Sequence, residues 1–147
     1  MQHVVLSAIA IGCAALALSA CKQAPSTTNG PHRSAPIVIE KLSVPQVARL
    51  LASSHPPAVY DANGQETRAK YGTLPGAKLL SSASQYDPDQ MLPKDHDEKL
   101  VFYCACEACS AAKTAAKRAV SAGWTDVSVM PAGIAGWSAA GKTRNQS

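Results

Sequence analysis

At 147 residues, of which 46% are hydrophobic and 16% charged, the chain is long enough for one domain with a core of its own. Its net charge of +4 is modest and scattered, and no basic run marks a nucleic-acid surface. The five cysteines fall at 13, 21, 104, 106 and 109; the last three form an odd-numbered cluster, which argues against a purely structural disulfide framework.

Val4 to Ala20 is apolar except for Ser7, Gly12, Cys13 and Ser19, and at about 17 residues it lies at the lower limit for a bilayer span. It ends in Leu18-Ser19-Ala20-Cys21, which resembles the lipobox of bacterial lipoproteins. The resemblance implies a signal peptide over residues 1–20, removed before Cys21, and lipid on Cys21 that holds the domain at a membrane through acyl burial. Met1-Gln2-His3 departs from that pattern, since such signals begin with Lys or Arg. The alternative is that the apolar segment itself is the anchor. Either way the rest of the chain is expected outside the cytoplasm, on the periplasmic side of the cell envelope. Lys22, standing where Asp would retain a lipoprotein in the inner membrane, points by the same resemblance to the outer one. Residues 21–36 are rich in Pro, Ser, Thr and Asn without apolar periodicity and read as a flexible tether.

The globular part is expected over residues 37–147. Ile37-Val38-Ile39 is a strand candidate. Ser43 offers an N-cap and Pro45 a first-turn residue for a helix from Val44 to Ser53, with Val47, Leu50 and Leu51 on one face and Pro56-Pro57 as the stop. Ala58 to Ala62 reads as a buried strand with Asp61 at its C-terminal end. Gln65 to Tyr71 is polar, enough for one or two helical turns, and Leu74-Pro75-Gly76-Ala77 is turn chemistry leading into Lys78-Leu79-Leu80. Asp87 to Glu98 is acidic and reads as a solvated loop with a helical turn near Gln90–Leu92 and an exposed His96.

The organising stretch follows. Leu100-Val101-Phe102-Tyr103 is an apolar run of strand formers. From Ser110 the pattern is helical, with Ala111, Ala112, Ala115, Ala116, Ala119 and Val120 in one stripe and Lys113 and Lys117 opposite. Between strand and helix lies a tight loop that opens with Cys104. Backbone amides and the positive end of a helix favour a thiolate there, the nucleophilic form of cysteine, so a Cys104 pKa below the ordinary thiol value is expected. Gly123 suits the end of the helix. Val127, Val129 and Met130 make a further strand, and Ala132 to Trp137 begins a last short helix. Strands alternating with helices imply an α/β fold: a central parallel sheet flanked by helices.

Val59-Tyr60-Asp61, Tyr71-Gly72-Thr73-Leu74-Pro75-Gly76-Ala77, Val101-Phe102-Tyr103-Cys104, Gly123-Trp124-Thr125-Asp126-Val127 and Ala132-Gly133-Ile134-Ala135-Gly136-Trp137 follow one another in an order that resembles a rhodanese-like domain, from about Ile37 to Gly141. The resemblance implies a single small α/β domain that moves sulfane sulfur from a donor to a thiol or cyanide acceptor through a cysteine persulfide. Cys104 matches the family nucleophile, and Ala105, Cys106, Glu107, Ala108, Cys109 and Ser110 match the loop whose backbone amides cradle the sulfur. Neither cofactor nor metal is implied. Many members carry Arg or Lys at the position of Cys109, a cation that binds anionic donors; a neutral residue there argues against thiosulfate as the natural donor. Lys113 or Arg118 could replace that cation, although a solvated helix face accounts for both. The related phosphatases have a longer loop ending in arginine, where this chain has Ser110.

Three other readings of the cysteines stay open at this level. Cys106-Glu107-Ala108-Cys109 is a C-x-x-C at a helix start, so Cys106 and Cys109 are a candidate redox pair, for regulation or for thiol–disulfide exchange. The residues after it are too few for a thioredoxin-type ending. Metal binding by C-x-C-x-x-C lacks a fourth ligand. A catalytically idle rhodanese-like binding or sensing module is the third; an intact Cys104 argues against it.

Overall fold

A computed structural model describes residues 38–145. The expected signal peptide and tether, with Cys21 and Ile37, lie outside the described residues. In chain order the elements are β1 (Glu40–Lys41), α1 (Val44–Leu51), β2 (Ala58–Asp61), α2 (Gln65–Tyr71), β3 (Lys78–Leu79), α3 (Pro88–Met91), β4 (Leu100–Tyr103), α4 (Ala111–Ser121), β5 (Val127–Met130) and α5 (Gly133–Ala139). The described strands form one sheet in the order β1-β5-β4-β2-β3, with every pairing parallel.

All four residues of the central strand β4 are buried, the pattern of a strand covered on both faces. Its alternate side chains feed two cores. Leu100 and Phe102 join Tyr60, Val127 and Val129 beneath α4, where Ala112, Ala115, Ala116 and Ala119 are buried. The small helix face leaves room for large rings on the sheet. Tyr60 and Phe102 stack at 5.2 Å, and Tyr86 donates a 2.9 Å hydrogen bond to the carbonyl of Ala115. Val101 and Tyr103 join Val59 and Met130 on the other face, against Val44 and Val47 of α1 and Ile134 and Trp137 of α5. Gly123 follows the end of α4 at φ +107°, a conformation open to glycine at a helix C-terminus.

Boundaries differ from the sequence expectation by a residue or two at several elements, α3 at Pro88–Met91 among them, and most at β1 and α1. The first strand is not Ile37–Ile39 but Glu40–Lys41: Val38 is 81% exposed, and Glu40 and Lys41 pair with Ser128 and Val129. Pairing with β5, not the β-branched run, sets this edge strand. Helix α1 ends at Leu51 rather than Ser53, and its last turn closes through a 2.7 Å bond from Ser53 Oγ to the Leu50 carbonyl.

Candidate active site

The connection after β2 leads to β3 at one edge, while that after β4 leads to β5 on the other side. Neighbouring strands whose connections diverge open a crevice at their carboxyl ends. Cys104 stands there, as the first residue beyond β4.

The strand end beneath it is fixed by a buried polar network. Tyr103 Oη donates to Asp61 Oδ2 at 2.8 Å and accepts from the Leu74 amide at 3.0 Å. Asp61 is fully buried; it also accepts from the Asn63 amide at 2.7 Å and faces Arg68 Nε at 3.7 Å. Arg68 Nη2 in turn donates to the carbonyls of Asp61 and Leu80. The only way to bury such a carboxylate without a large penalty is to satisfy it this fully.

The first limb of the loop is clamped by α5. The amide of Ile134 donates to the Cys104 carbonyl at 2.9 Å, and that of Ala135 to the Ala105 carbonyl at 3.0 Å. These are first-turn helix amides, which have no partner inside their own helix. The backbones meet so closely because residue 133 is glycine. A Cβ there would collide with the Cys104 carbonyl oxygen and lie 2.7 Å from the Ala105 carbonyl, and the φ of +59° is one that side-chain-bearing residues rarely adopt.

The second limb turns back at Cys109, whose amide donates to the Cys106 carbonyl at 3.0 Å. Cys104 is 2% exposed, Cys109 half-buried and Cys106 exposed. Glu107, Ala108 and Ser110 are exposed on the rim, and Ala105 is half-buried. The Cys104 thiol faces the carbonyl oxygens of Cys106 at 3.7 Å and Cys109 at 3.4 Å, and the Cys109 thiol is the charged group that bears on it. Amides reach both sulfurs: those of Ala112 and Cys106 the sulfur of Cys104, those of Ala111 and Ala105 the sulfur of Cys109. The two sulfurs therefore share the N-terminal end of α4. Of these four amides, Ala105 and Cys106 belong to the loop, the first bearing on Cys109 and the second on Cys104, and the other two come from the start of α4, which the sequence pattern did not single out.

The electrostatic outcome reverses an expectation. Burial pushes the Cys104 thiol up to about 11; the Ala112 amide opposes this, while the neighbouring Cys109 sulfur adds to it. A sulfur faced by carbonyl oxygens keeps its proton. Cys109 is also penalised by burial, but the Ala111 amide, the Cys104 thiol and the Ala105 amide outweigh that and hold it below the ordinary thiol value. Of these two neighbouring thiols, Cys104 is therefore the weaker acid and Cys109 the stronger.

The remaining candidates lie elsewhere. Arg118 donates from Nε to the Tyr86 carbonyl at 2.6 Å and covers the Tyr86 ring at 5.8 Å, while Lys113 is on the exposed face of α4. His96 is exposed, its ring stacked on Trp124 at 3.9 Å. Asn63, just beyond β2, was missed by the sequence reading: it is 6% exposed, and its Nδ2 has no hydrogen-bond partner among the described residues. No group of three or more His, Cys, Asp or Glu among the described residues is arranged to hold a metal ion.

A rhodanese-like domain profile matches residues 43–140. Among solved structures, a rhodanese-like domain protein from Staphylococcus aureus superposes with a TM-score of 0.54 at 20% identity, covering 67% of this chain and 91% of that one. A single-domain sulfurtransferase from Saccharomyces cerevisiae gives 0.57 at 21% identity, covering 73% and 94%. A thiosulfate sulfurtransferase from Pseudomonas aeruginosa gives 0.57 at 17% identity, covering 71% of this chain but only 20% of that longer one. At such identities these likenesses are ones of fold. No curated protein sequence matches the chain closely enough to count as a relative.

Proposed function

The chain belongs to the rhodanese-like family, and from that premise we propose that it is a sulfurtransferase that carries sulfane sulfur on Cys104. The observation that carries this reading is the seat of the Cys104 sulfur. It lies at the carboxyl end of the central strand, enclosed by its own loop and reached by the amides of Cys106 and Ala112.

The chemistry follows from that seat. Cys104 reacts as the thiolate, so its proton must first leave, and the neighbouring Cys109 sulfur, held below the ordinary thiol value, is the base within reach. The new thiolate is held by the Cys106 and Ala112 amides, which are in place beforehand and need no reorganisation. It attacks the outer sulfur of a donor, the donor thiol departs, and Cys104 keeps that sulfur as a persulfide. An acceptor thiol or cyanide then removes it. Splitting one transfer into two covalent stages is ordinary nucleophilic catalysis. Because residue 109 is a thiol and not a cation, a small thiol persulfide suits the mouth of the loop better than doubly charged thiosulfate. The test is the release of one equivalent of donor thiol when the reduced chain meets a thiol persulfide, and the loss of that release in Cys104→Ser.

The Leu18-Ser19-Ala20-Cys21 pattern supports a setting for this chemistry: lipid on Cys21 and the domain on the periplasmic side of the envelope, carried by residues 21–36. Replacing Cys21 with Ser tests it. Release of the domain from membranes is expected; membrane retention with residues 1–20 still attached would mean that the apolar segment is the anchor.

A further inference from the structure

Two sulfurs occupy one amide-lined seat, and the persulfide reading uses the second only as a base. Cys109 is better placed than that role requires. It is half-buried at the mouth of the loop, while Cys104 beneath it is 2% exposed. Its backbone is locked against Cys104 by the 3.4 Å contact between the Cys104 sulfur and the Cys109 carbonyl, and by the 3.0 Å bond from its own amide to the Cys106 carbonyl. An acceptor from solvent must open or pass this loop to meet the Cys104 sulfur, whereas Cys109 already lies against it, its carbonyl oxygen 3.4 Å from that sulfur.

We propose that Cys109 is the resolving thiol of this domain: once Cys104 carries a sulfane sulfur, Cys109 attacks Cys104 Sγ, closes a Cys104–Cys109 disulfide and releases hydrosulfide. The inference rests on the persulfide reading of Cys104 and adds an internal exit for the sulfur. In this step the Cys109 thiolate supplies the electron pair of the new bond between the two Sγ atoms. The bond from Cys104 Sγ to the outer sulfur breaks, and its electron pair leaves with that sulfur, which carries its proton away as hydrosulfide. The two cysteines are together oxidised by two electrons and the sulfane sulfur is reduced by two. A dithiol reductant outside the protein restores both thiols. The pair is distinct from the C-x-x-C: it joins the residue that opens the loop to the one that closes it, and the exposed Cys106 serves through its backbone.

The experiment uses the full chain in detergent, reduced and then freed of reductant, with one equivalent of glutathione persulfide and no added acceptor. Hydrosulfide is measured alongside intact mass and peptide mapping. The parent is expected to lose the mass of two hydrogens, release about one equivalent of hydrosulfide above the Cys104→Ser background, and map as Cys104–Cys109. At completion Cys109→Ser is expected to hold one extra sulfur atom and release none above that background, since loss of the base changes the rate of loading and not its extent. If the parent keeps the extra sulfur as stably as Cys109→Ser does, or if its disulfide maps to Cys106, the resolving role is wrong while the persulfide reading stands. If neither protein gains sulfur or a disulfide, both fall together.

Discussion

The Cys104 sulfur lies 3.4 Å from the carbonyl oxygen of Cys109, so the residue that closes the loop presents an acceptor to the residue that opens it. An acceptor at that position favours the protonated thiol. The resting loop thus stores its nucleophile as S–H and keeps a thiolate-prone sulfur beside it.

This arrangement predicts a split in thiol reactivity. At pH 7, iodoacetamide should label Cys109 well ahead of Cys104. The Cys104 rate should climb about tenfold per pH unit through pH 8–10, because its thiolate fraction rises until the pH nears about 11. In Cys109→Ser the Cys104 profile should move to lower pH, since a neighbour that raises it is gone. Peptide mapping over a pH series checks this; rapid, pH-independent labelling of Cys104 at neutral pH would contradict it.

Gly133→Ala should weaken both fold and site. The added Cβ meets the carbonyls of Cys104 and Ala105, and the backbone is held at φ +59°. A loss of about 1–3 kcal/mol in denaturant unfolding is expected, with slower sulfur loading of the folded fraction. Unchanged stability would mean that α5 does not clamp the loop.

The order of elements was legible in the sequence because its signals are local. The Ala112, Ala115, Ala116 and Ala119 stripe and the Leu100–Tyr103 run could each be read from spacing alone, and both are buried as that spacing requires. The site was legible only in part. That Cys104 opens a strand–loop–helix turn follows from composition. Which backbone atoms face its sulfur does not, since the same loop can turn amides or carbonyls inward. Nor could the sequence show that Ile134 and Ala135 would hold the loop, because that contact is set by the packing of a distant helix. The first strand was misplaced for the same reason: Glu40 and Lys41 have no strand propensity to speak of and are recruited by their partner β5.

Tyr103→Phe tests the network beneath the site. It removes the donor to a fully buried Asp61 and the acceptor for the Leu74 amide. Stranding these groups is expected to cost about 1–3 kcal/mol. Denaturant titration measures it, and a change below about 0.5 kcal/mol would show that Arg68 and the Asn63 amide suffice for Asp61.

Alkaline unfolding should begin near pH 10. Burial raises Tyr60 to about 12 and raises Tyr86 and Tyr103 further, with Asp61 adding to the effect at Tyr103. Above the ordinary tyrosine value of about 10, the unfolded chain releases phenolic protons that the folded chain retains, so stability falls as pH rises. Cys104 acts in the same direction from about pH 8.5. Cys109, held low in the fold, acts the other way: its contribution is present at and above its ordinary value and is lost on acidification. Unfolding midpoints from pH 7 to 11 check the trend, and a flat profile through pH 10–11 would contradict it.

The central claim is that sulfur enters on Cys104, and single-turnover uptake tests it most directly. Reduced parent, Cys104→Ser and Cys109→Ser chains are each mixed with one equivalent of glutathione persulfide, and the glutathione set free is counted against time. At completion the parent and Cys109→Ser should each have released close to one equivalent, the variant at a different rate because it lacks the base, while Cys104→Ser should release none above the donor's own decay. Full release by Cys104→Ser, with loss in Cys109→Ser, would move the nucleophile to Cys109 and overturn the account.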